Sequence, residues 1–106
     1  IASSSSAATT AGQKDGEPVH FRVEVYPDRS VVLQVSGQQR DYQKIEALDQ
    51  KVSLTRLNSL LEGWKKRYNQ VNSAMLLSHP EVDYKDVVQV LETIKRTHNE
   101  VALGSL

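Results

Sequence analysis

The chain has 106 residues, with thirteen basic and thirteen acidic side chains, three histidines and no cysteine. That length holds one hydrophobic core and not two, and the cancelled charge supplies no field toward nucleic acid or an anionic membrane. Without cysteine there is no disulfide, thiol nucleophile or thiolate metal site, and the longest apolar run, Ala74, Met75, Leu76 and Leu77, falls far short of the about 20 residues of a bilayer-spanning helix.

Residues 1–18, IASSSSAATTAGQKDGEP, hold one large apolar side chain among small polar ones, too little burial to offset the entropy of ordering them, so a flexible linker is expected there. The chain opens on Ile1 and not on Met, which reads as a piece of something longer. A folded domain is expected over residues 19–106. It begins where Val19, Phe21, Val23 and Val25 alternate with His20, Arg22, Glu24 and Tyr26, the period of a strand with one wet face. Pro27, Asp28 and Arg29 make a turn, and Val31, Leu33 and Val35 bring a second strand back as an antiparallel hairpin. Residues 37–51 are polar, with Tyr42, Ile45 and Leu48 in no clean period, and are read either as an extension of the hairpin or as a loop.

Ser53 offers a helix N-cap, followed by Leu57, Leu61, Trp64 and Tyr68 on one face behind Leu54. Lys65, Lys66 and Arg67 complete that helix and favour the negative end of its dipole, with Glu62 one turn from Lys66. They read as a solvated helix end in preference to a phosphate or lipid site. The apolar SAMLLSH, stopped by Pro80, reads as a buried strand. Asp83 is then placed to cap a second helix by accepting a hydrogen bond from the main-chain N–H of Asp86 or a neighbour, and Tyr84, Val87, Leu91, Ile94 and His98 repeat the 3-4 spacing, with Val88 beside them. Asn99 is expected in the left-handed conformation, and residues 100–106 return as a last strand. The order β-β-α-β-α-β predicts an α+β two-layer sandwich, with both helices on one face of a single mixed sheet.

No chemistry-bearing constellation emerges, so no enzyme, cofactor or metal site is expected. His20, His79 and His98 are scattered, and His98 at a helix end is expected to gain as a cation from the dipole. Asp83 and Asp86 are accounted for by capping, and there is neither a nucleophile elbow nor a glycine-rich phosphate loop. Trp64 on the helix stripe reads as core in preference to an exposed hot spot. What remains is an interaction module whose edge strand can accept a partner's strand, Val101, Ala102 and Leu103 or the opening strand from Val19 to Val25 being the candidates.

The stretch SAMLLSHPEVDYKDVVQVLETIKRTHNEVALGSL resembles the C-terminal part of the periplasmic domain in the ExbD/TolR family of biopolymer transport proteins. Val82, Asp83 and Tyr84 match the family's V-D-Y helix start, and Val87, Val88, Val90, Leu91 and Ile94 match its helix. VSLTRLNSLLEGWKKR is similar to the family's earlier helix and HFRVEVYPDRSVVLQV to its opening hairpin. The chain departs from the family where Leu77, Ser78 and His79 replace an R-A-D triplet and Thr97 and His98 an Ala-Gly, and residues 37–50 are longer than the usual connection. The resemblance implies a non-enzymatic periplasmic domain of a bacterial inner-membrane protein, preceded by one transmembrane helix bearing a proton-handling aspartate. It implies a homodimer, an ExbB/TolQ-like channel partner reached through that helix, and transmission of force to an envelope protein or peptidoglycan. The alternative expectation is a free-standing soluble protein-interaction adaptor whose similarity is coincidental.

Overall fold

A computed structural model describes residues 19–36 and 41–106. The expected linker, residues 1–18, lies outside the described residues. The elements are β1 (His20–Val25), β2 (Val31–Ser36), β3 (Asp41–Ile45), α1 (Leu54–Arg67), β4 (Ser73–Ser78), α2 (Tyr84–Lys95) and β5 (Glu100–Ser105). The five strands form one mixed sheet in the order β3-β2-β1-β4-β5. β1 runs antiparallel to β2 and parallel to β4, β2 antiparallel to β3, and β4 parallel to β5. The α+β sandwich is therefore as expected, with one strand more: β3 is the part of residues 37–51 that the sequence left open.

The pairing register explains which side chains meet the helices. Val23 lies beside Leu33 on one side and Leu76 on the other, so Val23, Leu33 and Leu76 share a face. That face carries Phe21, Val25, Val31, Val35, Ile45 and Ala74, all buried with Leu57, Leu61 and Trp64 of α1 and Val90 and Ile94 of α2 in a single core. Phe21 anchors its near end, with its ring 5.3 Å from Trp64 and 5.5 Å, edge on, from Tyr68. The apolar face of α1 is the one its spacing predicts, with Leu57, Leu61 and Trp64 buried.

Four expectations are corrected. The core face of α2 is Val90, Thr93 and Ile94; Leu91 only flanks the core, and Tyr84 is 81 % exposed. Thr93 tolerates burial because its hydroxyl donates to the Gln89 carbonyl at 2.9 Å, leaving no unpaired polar group. Ser53 and Asp83 are the N-cap residues of α1 and α2, but neither side chain makes a cap hydrogen bond. Asn99 is not left-handed: among the described non-glycine residues positive φ occurs at Arg29, Asp49 and Gln50. Finally, β1 is central and cannot be a docking edge.

His98 differs most from expectation. It is fully buried, edge on to Phe21 at 4.8 Å, and burial pushes its imidazole down from 6.5 to about 4, with the Lys65 charge acting in the same direction. A helix C-terminus favours a cation by about 0.3–1 kcal/mol, whereas a lowering of that size corresponds to roughly 3 kcal/mol against the charged form. Desolvation wins, and the ring is neutral at pH 7.

The outward face of the sheet also departs from simple alternation. Glu24 points away from the helices yet is only 6 % exposed, because its carboxylate accepts hydrogen bonds from Arg22 Nε at 2.6 Å, Tyr26 Oη at 2.6 Å and Gln34 Nε2 at 3.5 Å. The charge is buried with donors around it, the condition under which a buried carboxylate is tolerated. The same bond to Glu24, with burial second, raises the Tyr26 phenol above its usual range.

Candidate functional site

A sheet with two free margins offers two docking edges, and side-chain chemistry separates them. β3 is five residues long and carries Lys44, while the segment beyond it closes on itself through the Leu48 and Lys51 main chains. Short length and an edge lysine are the usual protections against strand addition. β5 has six residues, EVALGS, with no charge after Glu100. Among the described residues it pairs only with β4, so one side of its main chain has no strand partner there. Most of it is exposed: Val101 is half-buried, whereas Glu100, Ala102, Leu103, Gly104 and Ser105 are exposed.

The register places Leu103 beside Leu76, on the helix-bearing face but beyond the cover of α2. There it is 62 % exposed. Leu103 lines a groove of about 310 Å³ with Leu76, Val82, Val87 and Tyr84, and His79 contributes to the same wall. The edge and the groove are therefore contiguous, a backbone margin for hydrogen bonding beside an apolar recess for side chains, which is the combination strand addition uses. On the other face, Gly104 lies over Leu77: a Cβ there would sit 2.7 Å from Leu77 Cδ2.

The V-D-Y residues divide between two tasks. Val82 is half-buried against the core, and its N–H donates to the His79 carbonyl at 3.0 Å, so it tucks the turn under the sheet. Tyr84 stands exposed beside the groove. Asp83 faces the hairpin turn, where Arg29 Nη2 lies 3.5 Å from its carboxylate and Arg29 Nε 3.4 Å from that of Asp86. Arg29 reaches them from a left-handed backbone, φ 67°, stabilised by Asp28, whose carboxylate accepts from the Ser30 N–H at 2.9 Å and the Ser30 hydroxyl at 2.6 Å. Those bonds hold the Asp28 carboxyl below its usual range.

Neither Asp83 nor Asp86 is among the residues lining the groove with His79; both carboxylates face Arg29. His79 Nδ1 instead accepts from the Glu81 N–H at 3.1 Å. Among the described residues no group of three or more His, Cys, Asp or Glu side chains is placed to hold a metal, and no helix is long and apolar enough to cross a membrane.

No family model matches this chain, and no curated protein matches it either. The site therefore has to be judged on its geometry. Tyr84 and Leu103 are the two residues that sequence reasoning valued for the wrong reason or only in part. Tyr84 was expected on the core stripe, and Leu103 was one of several edge candidates; their adjacency depends on β5 lying outermost.

Proposed function

We propose that this chain is the periplasmic domain of a proton-motive-force-coupled inner-membrane energy-transduction complex of the ExbB-ExbD or TolQ-TolR type. It is a non-enzymatic part that transmits force to an envelope protein or to peptidoglycan. The observation that carries the reading is the unprotected edge strand Val101, Ala102 and Leu103, presented directly by the helix whose residues 82–94 resemble the family. A domain that transmits force needs a margin on which another chain can grip, and main-chain hydrogen bonds along a strand supply grip without a preformed pocket. In this reading the domain works as a homodimer, and an ExbB/TolQ-like channel protein is met through a transmembrane helix outside this chain.

Two measurements test it. Sedimentation equilibrium of the domain should give self-association that Leu103→Lys weakens at least tenfold while leaving thermal stability nearly unchanged, because the side chain is already solvent-facing. A monomer at all concentrations would remove the dimer from the proposal. Sequencing the coding region upstream of Ile1 should reveal about 20 apolar residues interrupted by one aspartate. A polar upstream region would leave the soluble-adaptor alternative in its place.

A further inference from the structure

We propose that the corner joining α2 to β5 is an acid-sensitive latch, in which a proton added to His98 expels its imidazole from the core and frees the start of the edge strand. The inference stands apart from the energy-transduction reading and concerns a buried side chain that the reading does not use.

The surroundings of the ring suit only its neutral form. The Thr97 hydroxyl lies 2.8 Å from His98 Nδ1 and within 3.2 Å of the Ile94 carbonyl, so it can meet Nδ1 as donor or as acceptor. Nε2 is buried and has no hydrogen-bond partner among the described residues. An imidazolium carries a proton on both nitrogens, so in the charged ring the Nε2 N–H meets no acceptor. The groups around the ring offer no help. β1 contributes Phe21. From α1 the charge that reaches the ring is Lys65, itself a cation, whose ammonium donates to the Val71 carbonyl at 3.0 Å and to Asn72 Oδ1. Lys95 and Arg96 at the end of α2 are exposed cations, and Glu100, two residues along, is an exposed carboxylate at the start of β5.

Expulsion of the ring cannot leave the strand in place. One residue, Asn99, separates His98 from β5, and the first tie of that strand is the Glu100 N–H to the Asn72 carbonyl at 3.0 Å. As an edge, β5 has a single neighbour to leave. Burial holds the closed imidazole down to about 4, against 6.5 for a freed one. The closed state is thus fully favoured above the freed value and loses ground as pH falls toward the buried value. From about pH 7 to about pH 5 the opening equilibrium rises roughly twentyfold.

Hydrogen exchange on the whole 106-residue chain at those two pH values, corrected for intrinsic rates, is the test. β5 amides are expected to exchange through a local opening, with protection below that of β1, and to lose roughly twentyfold of it at the lower pH. His98→Leu should abolish that loss. Equal protection of β5 and β1 at both pH values, or a β5 loss that persists in His98→Leu, overturns the latch. If the variant fails to fold, the titration of the wild-type imidazole followed by NMR decides. A midpoint well below 6.5 with β5 amide shifts moving at the same pH supports the latch, and β5 shifts that do not follow the ring refute it.

Discussion

Gln50 occupies a backbone conformation that side chains resist. It follows Asp49 in a tight turn, with φ of 63° and 54° respectively, closed by reciprocal main-chain bonds between Leu48 and Lys51 at 2.8 and 3.0 Å. Two successive left-handed residues define the turn type that prefers Asp-Gly or Asn-Gly. Gln50→Gly is therefore expected to stabilise the domain by about 0.5–1 kcal/mol, read from the denaturation midpoint; a loss of stability would mean that the glutamine side chain has a structural task. At Asp83 the expectation runs the other way. Because its carboxylate makes no cap bond and shares Arg29 with Asp86 at an exposed site, Asp83→Ala should cost no more than about 0.5 kcal/mol, less than the ~1 kcal/mol of a true cap. A loss of a full cap's size would show a bond that the structure lacks. The helix start was legible from Asp83 and Asp86 because acidic residues gather at the positive end of a dipole. Their partner Arg29 was not, since it is remote in sequence and becomes a neighbour only when the hairpin folds beside α2.

Among the elements, α2 carries the clearest test of face. Its apolar residues admit two adjacent stripes, and the domain buries the one through Val90 and Ile94. Ile94→Ala should cost about 2–5 kcal/mol and Leu91→Ala distinctly less, because a cavity forms only where the side chain is enclosed. Equal losses from the two substitutions would place the helix differently. The same reasoning explains β3. It contributes one fully buried apolar side chain, Ile45, and a strand with one such residue shows no period. What makes it a strand is the ladder to β2, in which Val31 faces Ile45 and Leu33 faces Gln43. Ile45→Ala is expected to cost about 2–5 kcal/mol as well, and a near-neutral result would show that β3 is held by its main chain alone. By contrast the buried face of α1 was readable, since Leu57, Leu61 and Trp64 allow a single stripe.

At the scale of the whole molecule, acidic and basic side chains balance, and the ion pairs of Arg22, Arg29 and Lys44 each have at least one partner well exposed. Raising the salt from about 0.05 to about 0.5 M should therefore shift stability by less than about 1 kcal/mol, a result that a pair of thermal melts can check. Cohesion instead comes from the single apolar layer between sheet and helices, through which Phe21 ties Trp64, Tyr68 and His98 together. The hairpin, the face of α1 and the pairing of helices with strands were determined by the sequence alone, because periodicity and turn chemistry are local properties; the fifth strand, β3, was not. Strand order was decided only in three dimensions. That order makes β1 central, leaves β5 bare beside Tyr84, and buries His98 where a cation was expected. Each of these follows from which segments lie side by side, and adjacency between distant segments is set by the joint burial of all their apolar faces, which no local stretch of chain contains.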